Sequence, residues 1–294
     1  MNSLATECLR NCQTLLSPPG IALKILDLCR EEIPELQGIA AVIGHDPALA
    51  AHVLRLVNSP FYGLRNEVET ISHAMTLLGA NSVRTLALSF SLVQGLRRND
   101  AAAADLPNYW QRSLVSAVAC QALGDWLHMP NGEGLFLVGL LPDVGMLALR
   151  EPFGETYTEL VRQAEGSHER LIELERSEFG CEHGEVSGWL AQEWNFPEIY
   201  QCCLRFSHQP DHPEAPVQLL DFIKLVTLSG AVADIWVVED SPAAAQRAKT
   251  GAQALSGINE QDFMTVLSKI AETQEDVSQV LKVKLGNPVG LELN

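Results

Sequence analysis

The chain has 294 residues, 47% apolar but only 6% aromatic, so its core must be built mainly from Leu, Val, Ile and Ala, a mixture that favours helices. Its 20 basic and 37 acidic residues give a net charge of −17, which repels a phosphate backbone and argues against general nucleic-acid binding; the best local basic candidate, Arg97-Arg98, reads as a solvated helix end. No secretion signal opens the sequence, and its most apolar stretch, 135–149, is interrupted by Pro142 and Asp143, so the expectation is a cytoplasmic protein without a membrane span.

Helical spacing dominates from the N-terminus onward. Leu36, Ile39, Ala40 and Ile43 form one buried stripe. Asp46 followed by Pro47 reads as an N-cap and first helical residue, opening a helix that buries Leu49, Val53, Leu56 and Val57. Asn58 and Ser59 before Pro60 should end that helix and cap its neighbour, with Phe61 and Tyr62 plugging a core under a turn at Gly63. Ile71, Ala74, Met75 and Leu78 predict the next helix, stopped by Gly79, and Val83, Leu86, Ala87, Phe90 and Val93 the one after. The alanine-rich segment 99–105 should join two lobes. A second helical set starts near Asn108, with Leu114, Ala117, Val118 and Gln121 on one face, and runs to about Val238. Residues 239–258 turn small and polar and read as a linker. Helical spacing returns through Phe263, Val266, Leu267, Ile270, Val277, Val280 and Leu281, and the Gly- and Pro-containing end, 286–294, reads as unstructured. The expected fold is therefore all-α: a compact multi-helix bundle with an N-terminal lobe (1–100), a second lobe (101–238), a linker and a C-terminal helical tail (259–294).

In this order the motifs resemble the HDOD family, a branch related to HD-domain phosphohydrolases. The resemblance rests on Asp46-Pro47-Ala48-Leu49, Leu54-Arg55-Leu56-Val57-Asn58-Ser59, Phe61-Tyr62-Gly63, Ile71 with Ala74 and Met75, and Leu78-Gly79. It continues through Trp110 with Ser113, Gly139 to Gly145, Phe179-Gly180, His183, Glu185-Val186, and Trp194 with Pro197, covering roughly 15–235. In the N-terminal lobe, capping and turn chemistry account for Asp46, Pro47, Asn58, Ser59, Gly63 and Gly79, which mark a fold and not a reaction.

An HD phosphohydrolase holds metal ions on converging His and Asp ligands, polarising a phosphoryl oxygen and activating water. The resemblance places the paired His-Asp at Pro142-Asp143, and proline offers no ligand atom. Near Trp110, where related sequences can carry another His, stands Arg112, a permanent cation. Asp143, His183 and His208 survive as residual metal candidates, with Asp234 more distant. His183 could cap a helix or pair with a carboxylate, and His208 suits a helix end. Neither Cys8 with Cys12 nor Cys202 with Cys203 supplies the four ligands of a structural zinc, and the odd total of seven cysteines reads as reduced thiols. No phosphate-cradling loop or nucleophile elbow is present. The expectation is no catalytic residue, no metal and no cofactor.

The resemblance implies a non-catalytic bacterial signalling domain acting through protein contacts, with receiver or diguanylate cyclase modules as the partner class. The tail helix is either a homodimer connector or packed on its own domain. Trp110, Arg112, Asp143 and His183 could alternatively line a degenerate pocket for a nucleotide or cyclic dinucleotide. In that setting Arg112 either contacts the anion or forms an internal ion pair with Asp143. A metal-dependent phosphohydrolase is the third reading.

Overall fold

The computed structural model describes residues 20–28, 36–60, 62–98, 106, 108–129, 132–237, 241–256 and 258–281. Among them there are helices and no strands. Cys8, Cys12, Phe61, the joining segment 99–105 and the end 286–294 lie outside the described residues, as do the side chains of Arg97, Arg98, Val280 and Leu281.

The N-terminal lobe comprises α1 (Gly20–Leu28), α2 (Leu36–Gly44), α3 (Pro47–Val57), α4 (Ile71–Leu78) and α5 (Ala80–Arg98). Its boundaries follow from local chemistry. The Asp46 carboxylate accepts from the N–H groups of Ala48 and Leu49, so it satisfies donors that the first turn of α3 leaves open, and Pro47 stands where no donor is needed. Asn58 ends α3 and also clasps the chain ten residues on: its side chain donates to the Val68 carbonyl at 2.9 Å and accepts from the Val68 N–H at 2.7 Å. Thr70 caps α4, and Gly79 ends it at φ +87°, where a side chain would be strained. Gly63 likewise takes φ +57°. Ser59 does not cap: its buried hydroxyl has no hydrogen-bond partner. Tyr62 packs partly buried against the core.

The second lobe contains α6 (Tyr109–Trp126), α7 (Leu135–Leu140), α8 (Val144–Gln163), α9 (His168–Phe179), α10 (His183–Glu193), α11 (Glu198–Arg205) and α12 (Leu220–Val237). Helix α6 is buried on nearly every side and packs on α7 and α12. Gly139 lets α7 approach it, since a Cβ there would lie 2.8 Å from the Ser116 carbonyl oxygen. Helix α8 kinks at Gly154, two residues after Pro152.

Two C-terminal helices follow. The segment read as a linker is instead α13 (Ser241–Ser256), which buries Ala244, Ala248 and Ala252 against α12. Alanine at every fourth position makes a narrow seam that lets two helices approach closely. The tail helix, α14 (Glu260–Leu281), packs on its own chain, against α6 and α3, and buries Phe263, Val266, Leu267, Ile270 and Val277 there. It thereby ties the two lobes together. Among the described residues no helix is long and apolar enough to cross a membrane.

Candidate functional site

Six segments distant in sequence deliver polar side chains to one place in the second lobe. Arg112 comes from the first turn of α6, Asp143 from the turn before α8, and Asp234 from α12. His168 and His183 are the first residues of α9 and α10, behind the N-caps Ser167 and Glu182, and His208 follows α11. Asp143 stands at the N-cap position of α8, but its side chain makes no cap bond and is turned inward instead.

The Arg112 guanidinium bridges the two aspartates. Its Nε donates to Asp234 Oδ1 at 2.8 Å and its Nη1 donates to Asp143 Oδ2. Gly230 keeps room for it, since a Cβ there would stand 3.0 Å from Arg112 Nη2. Burial alone would destabilise the charged guanidinium, but the two carboxylates outweigh that and hold its proton more tightly than usual. Burial pushes the Asp143 carboxyl up, yet the Arg112 cation overrides it and holds the group well below the usual carboxylate range.

The second Asp143 oxygen faces three imidazoles. Oδ1 lies 3.5 Å from His168 Nε2 and 3.7 Å from both His183 Nε2 and His208 Nε2, and it has no hydrogen-bond partner. The ring nitrogens also crowd one another, with His168 Nε2 at 2.9 Å from His183 Nε2 and 3.2 Å from His208 Nε2. Behind two of the rings stand buried glutamates. His183 Nδ1 is 2.6 Å from Glu175 Oε2, and His208 Nδ1 is 3.0 Å from Glu182 Oε2. Glu175 is itself fixed by the Tyr157 hydroxyl and by the His183 N–H. For His183, burial disfavours the charged ring, but Glu175 outweighs it and raises the pKa to about 10. Burial opposes charge on His208 as well, and Glu182 reverses it; His168, buried and facing Arg112, is pushed down.

Glycines make this convergence fit. A Cβ on Gly184 would lie 2.6 Å from His208 Nδ1, and one on Gly145 would lie 2.0 Å from the His183 carbonyl oxygen. The Ser187 hydroxyl locks the two helix starts together, accepting from the Gly145 N–H and donating to the Pro142 carbonyl.

A cavity of about 390 Å³ opens beside the cluster, lined among others by Arg112, His168, His208, Lys224, Asp234 and Arg247. Of the four residues expected to form a pocket, only Arg112 lines it; Arg112 and Asp143 line a smaller one of about 100 Å³. His183 is sealed beneath, and Trp110 lines neither cavity but packs edge-on against Tyr109. The residual candidates Asp143, His183 and His208 do come together, with Asp234 on the far side of Arg112. The sequence reading missed His168, Glu175 and Glu182. Ser167 before His168 is a helix N-cap, but nothing local indicates which side of the bundle that helix start faces.

An all-helical bundle with an aspartate, histidine and arginine centre between the ends of several helices defines the class of this protein. The chain belongs to the HDOD domain family, which it matches over residues 15–210. It resembles an HDOD domain protein of unknown function from Geobacter sulfurreducens, with a TM-score of 0.72 and 19% identity, covering 95% of this chain and 97% of that one. A Shewanella amazonensis protein provisionally described as a phosphohydrolase matches with a TM-score of 0.71 and 22% identity, covering 95% and 98% of the two chains. An uncharacterised protein of Treponema pallidum is 29% identical over 217 residues, 72% of this chain. That match spans 41% of the Treponema protein, so this chain covers less than half of the relative's length.

Proposed function

We propose that this chain is a regulatory HDOD domain that acts through contacts with signalling proteins, receiver or diguanylate cyclase modules being the partner class, and does not hydrolyse phosphoesters. One observation carries the reading: the Arg112 guanidinium is bonded to both Asp143 and Asp234. In the related phosphohydrolases the His-Asp pair holds a metal that polarises phosphate. Here Pro142 supplies no ligand atom, and Asp143 gives one oxygen to a fixed cation that cannot leave or accept a substrate oxygen as a ligand. The same bonds use the fork of Arg112 that an anionic ligand would need.

The test is turnover. The full chain, incubated with bis(p-nitrophenyl) phosphate or a cyclic dinucleotide and manganese, iron or zinc, is expected to release no product above the metal blank. Metal-dependent release that Asp143→Asn abolishes would overturn the reading.

A further inference from the structure

We infer that His168, His183, His208 and Oδ1 of Asp143 form a four-ligand site for one divalent transition-metal ion, with zinc the best fit, which clasps the starts of α8, α9 and α10 to the segment after α11. The inference goes beyond the proposed function and does not depend on it.

Geometry is the first support. With nitrogen and oxygen ligands at about 2.0–2.1 Å, a tetrahedral ion sets neighbouring ligand atoms about 3.3–3.4 Å apart. The separations among these four atoms given above run from 2.9 to 3.7 Å, and all four lie within 4.8 Å of one another. They come from four places in the chain, so no local turn imposes the spacing.

The second support is a missing donor. The Nδ1 atoms of His183 and His208 face carboxylates, which fixes their protons on that side. Each Nε2 points toward the centre, where the His168 ring nitrogen and the Asp143 oxygen converge, and becomes a ligand when an ion displaces its proton. Asp143 is 2% exposed, and its Oδ1 accepts no hydrogen bond. A buried carboxylate oxygen without a donor, ringed by three imidazole nitrogens, is what a cation satisfies.

Charge points the same way. Around the cluster four carboxylates, those of Asp143, Asp234, Glu175 and Glu182, face two guanidinium groups, those of Arg112 and Arg176. Two negative charges remain, which either protons on the imidazoles or one divalent ion displacing them offsets. The Glu175–His183 and Glu182–His208 pairs supply the carboxylate-to-imidazole bonds that orient metal-bound histidines elsewhere.

Three imidazoles and one carboxylate suit zinc in tetrahedral geometry. Four protein ligands close the coordination sphere, whereas a hydrolytic zinc keeps a position open for water. The ion's role is thus to hold the lobe together, and Arg112 retains the other Asp143 oxygen throughout.

The full chain, stripped with a chelator and desalted, is titrated with zinc against a chromophoric competitor, and separately with cobalt. One zinc per chain is expected, with a raised Tm, and cobalt should give the intense visible absorption of a four-coordinate site. His168→Gln and His208→Gln, each checked for an intact fold by circular dichroism, should weaken zinc by more than about 100-fold, beyond what the loss of a supporting group costs. Glu175→Gln should weaken it by about 10–100-fold. No stoichiometric zinc, or equal retention by His168→Gln, would overturn the inference. Phosphoester turnover would end the proposed function but leave this site standing, and failure to bind metal would do the reverse.

Discussion

The two lobes use polar residues in different ways. In the N-terminal lobe Asp46, Asn58 and Thr70 each bond to backbone within ten residues along the chain. They end helices and fix turns, and the apolar stripes do the rest. In the second lobe Arg112, Asp143, His168, His183, His208 and Asp234 are drawn from segments up to 122 residues apart and face mainly one another. No helix needs them for a cap. Polar groups that serve the backbone specify a fold; buried polar groups that serve each other have a stability cost that the fold does not require, and they mark a site.

That contrast can be broken by substitution. The largest effect belongs to Arg112→Ala, which leaves the buried Asp143 and the partly buried Asp234 without their cation and should cost about 3–5 kcal/mol in chemical denaturation. A loss near zero would show that solvent replaces the guanidinium. In the N-terminal lobe Asn58→Ala removes both bonds to Val68 and should cost about 1–3 kcal/mol, with no change in metal or partner binding. Asp46→Ala comes last, at about 1 kcal/mol for a helix cap. If either N-terminal change matched Arg112→Ala, the proposed division between the lobes would fail.

Most of the fold was legible because its signals are local. Asp46-Pro47, Gly79 and the stripe through Phe263, Val266 and Ile270 announce themselves within a few residues. Helix α13 was read as a linker because its buried seam is alanine, which carries little hydrophobic contrast against polar neighbours. The ion pair between Arg112 and Asp143 is one of the two arrangements the residues left open, and it satisfies both charges. Trp110 was drawn into the site by its nearness to Arg112 in sequence, yet two residues on a helix are turned by roughly 200°. His168, Glu175 and Glu182 resemble first-turn and surface-helix residues in sequence. Their convergence depends on α9 and α10 starting side by side, a long-range fact that no short window of sequence holds.

Asp143 and Asp234 depend on Arg112 as their fixed cation. A double-mutant cycle with Arg112→Ala and Asp234→Asn, read by denaturant unfolding, tests it most directly. Arg112→Ala is expected to cost clearly less once Asp234 is neutral, because one of the stranded charges is gone. Costs that add to within about 0.5 kcal/mol would contradict it, because the two residues would then be energetically independent.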